Sequence, residues 1–293
     1  MVQRKQNHQI LLNIFFALVS CVCIIPFLLL FISSITDEAA ILKYGYSFFP
    51  QKFSPYAYDY LMINAYSILR AYGITVIIAI VGTSVSLLLM SLLAYPLSRK
   101  DMPHKRLWTF FVFFTMLFNG GLVATYLVYT QLFHMKNTIF ALIIPVLLMR
   151  AFYVLLIRTF FITSIPDSII EAAHIDGAGE WLIFYRIVLP VSIPVLATVG
   201  LFQTVNYWND WFNGMIYITD SRLYSIQNLL NRILLDIQFL TTNQLGGSYD
   251  MQNIPQESVR MALAVIGIVP ILAAYPFFQK YFVKGLTIGA VKG

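Results

Sequence analysis

Long apolar runs alternate with short polar stretches along the whole of this chain. A helix needs about 20 apolar residues to cross the hydrocarbon core of a bilayer. Runs of that order fall at residues 11–35, 72–97, 107–129, 139–161, 191–218 and 259–278. The pattern therefore predicts an all-α integral membrane protein with about six transmembrane helices in a single domain, residues 1–293. The first run follows Arg4 and Lys5, as a secretion signal would, but it is span-length and ends in Ser33, Ser34 and Thr36 without a small-residue cleavage pattern. It is read as a retained span, with a kink at Pro26. Between Asp37 and Arg70 tyrosines and phenylalanines cluster around Pro50 and Pro55, which suits a surface segment at headgroup level. The third run is interrupted after Phe118 by Asn119, Gly120 and Gly121, either a broken helix or an exit turn. From Thr219 to Glu257 a polar loop is expected.

Composition agrees with this pattern. Hydrophobic residues make up 59% of the chain and charged ones 11%, against about half and a quarter in soluble domains. The net charge of +6 comes from Lys and Arg set in short groups beside the apolar runs, not in one basic stripe, which argues for membrane topology and against a nucleic-acid partner. Arg4, Lys5, Arg99, Lys100, Lys105, Arg106, Arg158, Arg186, Lys280, Lys284 and Lys292 fall on one side of a six-span arrangement. That side, with both termini and the loop after the fourth span, is expected to be cytoplasmic. Cys21 and Cys23 lie two apart in the first run and cannot pair, and the four histidines are scattered, so no metal site is expected.

The most informative stretch is the loop 164–190, SIPDSIIEAAHIDGAGEWLIFYRIVLP. Ser164, Pro166 and Asp167 start a helix, Gly177 and Gly179 can take the left-handed turn that stops it, and Pro190 closes a second piece at the fifth span. Ile165, Ile169, Ile170 and Ala173 recur at helical spacing, as do Trp181, Leu182, Tyr185 and Val188. A knob more apolar than a solvated connection needs to be suggests a partner that receives it.

Glu171, Ala172, Ala173, Gly177, Ile187, Leu189 and Pro190 reproduce, in identity and spacing, the EAA loop of binding-protein-dependent ABC importer permeases. The resemblance covers nearly the whole chain and is similar to the second permease of maltose-type carbohydrate importers. Ala94, Tyr95, Leu97, Ser98 and Arg99 resemble the end of that family's second span, with Pro96 a departure from it. Asn206, Trp208, Asn209, Trp211 and Phe212 resemble its W-N-x-F region, and the tail 275–293 resembles its ending. Together with Asn119-Gly120-Gly121, these features resemble most a branch associated with oligosaccharides from complex polysaccharides.

The resemblance implies a type I ABC importer permease fold in a bacterial cytoplasmic (inner) membrane. It implies a second permease subunit, a dimer of nucleotide-binding ATPase subunits and an extracytoplasmic sugar-binding protein as partners. Glu171, Ala172, Ala173, Asp176, Gly177, Ile187, Leu189 and Pro190 would then couple this chain to the ATPase. No cofactor would bind the chain directly, since it lacks a G-x-x-x-x-G-K-[ST] loop; ATP and Mg would sit on the partner. The chain would be a non-catalytic transport subunit.

In the fifth span Asn206, Asn209, Asp210 and Asn213 recur at helical spacing as one polar face, with Tyr207, Trp208 and Trp211 beside it. Amides and a carboxylate can bind hydroxyls, and aromatic faces can stack on pyranose rings. Polar groups in a span face a water-filled path by default, although helix-to-helix hydrogen bonding accounts for them equally well. An ion-coupled secondary transporter is the competing class; apart from Asp210 the spans lack acids to couple to an ion. A membrane-embedded enzyme is disfavoured by the absence of H-E-x-x-H, G-x-S-x-G or paired carboxylates within the spans.

Overall fold

The computed structural model of the chain describes residues 2–63, 65–242 and 256–290. Residues 243–255 of the expected polar loop and 291–293 of the tail lie outside the described residues, as do the side chains of residues 2–8, 240–242, 274, 275 and from 277 onward. The described residues are helical throughout apart from turns and one isolated bridge, Thr36 to Phe53. The chain packs as two compact units, one of residues 1–67 and 230–270, the other of residues 68–229 and 271–293.

In the first unit, α1 (Val2–Ser34) continues as a helix through Pro26. From Gln9 to Phe27 it is exposed on every side within this chain, as befits a helix surrounded by lipid or by another subunit's helices, and only its end, at Ser33 and Ser34, is buried. Short helices α2 (Glu38–Tyr44) and α3 (Tyr56–Met62) follow. Backbone bonds from Asp37 to Lys52 and from Ser54 to Ile35 fold the segment back on itself. Glu38 reaches the start of the last helix: its carboxylate accepts from the backbone N–H groups of Glu257 and Ser258, both at 2.9 Å, and from the Ser258 hydroxyl at 2.7 Å. These amides open a helix and have no partner inside it, so a carboxylate is their natural cap.

In the second unit, α4 (Ala65–Ser98) extends the expected 72–97 span by nearly two turns at its start. The third expected span is two helices, α5 (Lys105–Leu117) and α6 (Leu122–Leu127), the latter continued by a wide turn, Val128–Leu132. They meet at 110°. The break is local chemistry: Asn119 Oδ1 accepts from Gly121 N–H at 2.9 Å, and Gly121 takes φ +85°.

The fourth expected span, 139–161, is not one helix but α7 (Phe140–Ile143), a non-helical stretch and α8 (Ala151–Ser164). Pro145 has no N–H for a helix, and Val146 takes φ +63° in a turn closed by Leu147 N–H on Pro145 O at 2.7 Å. A β-branched residue in that region costs about 1–3 kcal/mol. After α9 (Asp167–Ile175), the chain continues through α10 (Glu180–Ile183), a wide turn at Phe184–Val188 and α11 (Leu189–Val191). A 76° bend leads into α12 (Ile193–Trp208), and α13 (Phe212–Tyr217) follows after Asn209, Asp210 and Trp211. The fifth expected span, 191–218, is thus broken too.

Where a polar loop was expected, residues 226–242 form α14, whose Ile226, Leu230 and Ile237 share one side. The last helix, α15 (Gln256–Ala290), starts before and outlasts the expected 259–278. Among the described residues three helices are long and apolar enough to cross a membrane, and up to six spans result if each sharply bent helix pair is one span.

Candidate functional site

The loop 164–190 has a buried root and an exposed tip. Ile170, Ile183, Phe184 and Val188 are buried in a cluster with Met90, Ala94, Tyr95 and Leu97 of α4 and Tyr153, Val154, Ile157 and Phe161 of α8. Apolar burial of this kind is worth about 25 cal/mol per Å2, so it fixes the direction in which the loop projects. At the tip, α9 ends in the left-handed C-terminal motif of helices. Ala178 N–H bonds to Ala173 O at 2.9 Å, Gly177 N–H bonds to His174 O at 3.0 Å, and Gly177 sits at φ +79°. No atom lies within 4 Å of where a Gly177 side chain would begin, so the backbone, not space, requires glycine there.

Of the expected coupling residues, Glu171, Ala172, Asp176 and Gly177 are exposed on this tip and Ala173 is half-buried. Ile187 and Leu189 instead pack against the buried cluster at the root, and Pro190 is exposed beside them. Ile175 is 86% and Trp181 74% exposed, leaving the knob apolar on its open side.

A polar network at the root was not foreseen. The Tyr95 hydroxyl, at the end of α4, donates to the Glu180 carboxylate. His174 Nε2 of α9 lies 3.2 Å from that carboxylate and Arg99 Nη2 3.8 Å from it. Lys100 pairs with Asp167 at 2.5 Å, and Arg158 of α8 donates to Leu97 O at 2.9 Å. The Asp167 carboxyl is held below the ordinary carboxylate range by its bond to the Lys100 ammonium, which in turn is raised above the ordinary lysine range. Tyr95 and Arg99 already stood in a recognisable segment, but nothing in the spacing ties them to Glu180. Beside the network, Leu92, Tyr95, Pro96, Arg99, Trp181 and Phe184 line much of a cavity of about 380 Å3.

The polar residues of the fifth span do not form one helical face. Asn206 is on α12, Asn213 on α13, and Asn209, Asp210 and Trp211 are in the break between them. Their surroundings differ. Asn213 is buried and donates to Pro145 O at 3.1 Å, while Asn206 donates to the Tyr153 hydroxyl at 3.0 Å. Asp210 accepts from Asn213 N–H at 3.3 Å, and its carbonyl accepts from the Ser225 hydroxyl at 3.2 Å. Trp208 is buried; Asn209 and Trp211 are exposed. Tyr207, placed by its spacing beside these residues, is 1% exposed, with its hydroxyl 3.1 Å from Ser86 Oγ and donating to Ile143 O at 3.0 Å.

These contacts explain how a broken span survives. The chain from Ile143 to Leu147 leaves carbonyls without helical partners, and such groups are tolerated at membrane depth only when protein seals them. Tyr207 covers Ile143 O, Asn213 covers Pro145 O, and Gln203 covers Leu147 O. Gln203 is fully buried and also donates to Ser86 Oγ at 3.2 Å. It was missed, although an amide within the apolar run 191–205 was the signal that could have found it. Among the described residues no group of His, Cys, Asp and Glu is placed to hold a metal ion.

Residues 102–288 match the family described as binding-protein-dependent transport system inner membrane component. The chain is 38% identical over 275 residues to protein LplC of Bacillus subtilis, covering 94% of this chain and 91% of that one. It is 35% identical over 282 residues to the polygalacturonan/rhamnogalacturonan transport system permease protein YtcP of the same organism, covering 95% and 96%. Among solved structures, it superposes on a chain of a bacterial ABC transporter involved in the import of the acidic polysaccharide alginate. The TM-score is 0.77 at 25% identity, over 94% of this chain and 97% of that chain.

Proposed function

The chain belongs to the binding-protein-dependent transport system inner membrane component family, and on that footing we propose that it carries oligosaccharides derived from polysaccharides, coupled to ATP through the tip of its 164–190 loop. It is a multi-pass permease subunit of an ABC transport system, not a catalytic one. The cargo class is supported by the relative named for polygalacturonan and rhamnogalacturonan and by the alginate importer whose fold it shares. An ion-coupled carrier is not favoured.

In this reading both termini and the loop are cytoplasmic, in an arrangement with a second permease, two ATPase subunits that bind ATP and Mg, and an extracytoplasmic sugar-binding protein. Glu171, Ala172, Ala173, Asp176 and Gly177 dock on the ATPase, and Ile187, Leu189 and Pro190 hold the base from which they project. ATP-driven closure of the ATPase dimer then biases a two-state packing of the helices. Asn206, Asn209, Asp210 and Trp211 line the path, with Trp208 and Asn213 supporting them from behind.

The observation that carries the coupling role is the glycine-centred turn that displays Glu171, Ala172 and Asp176 in the open above a root fixed in the apolar cluster. The test is uptake and ATP hydrolysis by the reconstituted assembly carrying Gly177→Asp or Glu171→Lys. Gly177→Asp forces a side chain into the left-handed turn, so loss of coupled uptake with intact insertion is expected. Uptake that persists at the wild-type rate in both variants would falsify the docking role.

A further inference from the structure

The docking tip explains how force could enter the chain, but not how it passes to the spans. Only contacts that join the loop to a span can carry it, and in the root network one side chain bonds both to the end of a span and to the other half of the loop. Glu180 stands at the start of the segment leading to the fifth span. Its carboxylate accepts from Tyr95 at the end of α4, lies 3.2 Å from His174 near the end of α9, and lies 3.8 Å from Arg99 just beyond α4. Arg99 in turn lies 3.2 Å from Asp101.

Two features set this carboxylate apart from an ordinary surface ion pair. Tyr95 is 9% exposed, and the Arg99 side chain is 16% exposed although it stands just beyond the end of a span. The same α4 carries Ser86, which accepts from Gln203 and meets the Tyr207 hydroxyl, so α4 runs without interruption from the loop root to the sealed break of the fourth span. A helix transmits displacement along its axis as a rigid element, and a joint at one end moves what is bonded at the other.

We infer that Glu180 is a positioning residue, a joint that ties the two halves of the loop to the end of α4 and passes the tip's movement to the helix that braces the translocation path. This rests on the coupling reading above. It predicts a defect in transmission and not in docking: the assembled complex still hydrolyses ATP, but hydrolysis moves less sugar.

The experiment measures sugar taken up per ATP hydrolysed in the reconstituted complex, for Glu180→Ala, Glu180→Gln, Tyr95→Phe and the double variant Glu180→Ala/Tyr95→Phe, with Gly177→Asp as a docking control. Glu180→Ala is expected to lower the ratio of uptake to hydrolysis by about 10-fold, within the usual range of a coupling free energy. Glu180→Gln keeps an acceptor for Tyr95 and is expected to restore most of that ratio. The double variant is expected to be no worse than Glu180→Ala, because both remove the same contact. A merely structural role would lower uptake and hydrolysis together and leave their ratio fixed. The inference is overturned if the ratio is unchanged in Glu180→Ala, or if the effects of the two single variants add. Should Gly177→Asp also leave coupled uptake intact, the docking reading itself has failed. Should Gly177→Asp abolish uptake while Glu180→Ala keeps the wild-type ratio, only the joint is wrong.

Discussion

At the loop root, polar contacts centre on a carboxylate and a histidine half open to water; at the break in the fourth span they are neutral and sealed. Glu180 and His174 are 50% and 40% exposed, whereas Gln203 is fully buried and Tyr207 and Asn213 nearly so. The difference teaches where each region's energy goes. Exposed ion pairs contribute little to stability, typically 0–1 kcal/mol, so charges at the root can exchange partners as the loop moves. Buried amides and hydroxyls on freed carbonyls are costly to lose, because in lipid no water replaces them. The first arrangement suits a joint, the second a fixed brace.

The comparison can be broken most directly at the brace. Tyr207 lies against α4 where Gly82 leaves room, and a Cβ at Gly82 would come within 2.5 Å of the tyrosine ring. Gly82→Ala is therefore expected to cost about 1–3 kcal/mol through overpacking, read as a lower midpoint of thermal unfolding in detergent. Combining it with Tyr207→Leu should return part of the loss, since the two positions are in contact. Independent, additive effects would mean that the ring and the glycine do not meet.

A somewhat smaller loss is expected for Gln203→Leu. The substitution is close in size but leaves Leu147 O and the Ser86 hydroxyl without their donor. An unsatisfied buried acceptor costs about 1–3 kcal/mol, and part of that is relieved if the local turn opens. Unfolding at the wild-type midpoint would show that this carbonyl is not sealed by Gln203, and the contrast between the two regions would lose its basis.

The same contrast explains what the sequence could reveal. The spans were legible because crossing a bilayer demands long apolar runs, and the break at Asn119–Gly121 because its turn residues are polar or lack a side chain. The break after Ile143 was not, because Pro145 sits in a run that remains apolar; hydropathy records composition and not whether a carbonyl has a partner. Helix α14 was hidden because Asn228, Asn231, Arg232 and Asp236 give its polar side the look of a loop. Glu171 to Pro190 was legible as a motif because its residues are close in sequence. The joint at Glu180 was not, since Tyr95 is 85 residues away and only the packed helices bring the two together. Likewise the even spacing of Asn206, Asn209, Asp210 and Asn213 suggested a continuous helix that the chain does not form.

The smallest effect is expected from the strap between Lys100 and Asp167, and it sharpens the comparison by its pH dependence. Lys100 depresses the Asp167 carboxyl, chiefly through their hydrogen bond, so the strap's contribution is full above the ordinary carboxylate range and is lost as pH falls through the depressed value. Asp167 raises the Lys100 ammonium, so at the alkaline end the contribution is full below the ordinary lysine range and is lost as pH rises through the raised value. Between roughly pH 4 and pH 10, set by the ordinary carboxylate and lysine values, the strap is constant. Hydrogen exchange of the α9 amides, corrected for intrinsic rates, should then be flat from about pH 5 to pH 9 and rise in strong acid and in strong alkali. The double variant Lys100→Ala/Asp167→Ala should raise α9 exchange at neutral pH without moving the global unfolding midpoint. A midpoint that fell with it would make the exposed strap part of the brace, and the division between a movable root and a fixed interior would have to be redrawn around Asp167.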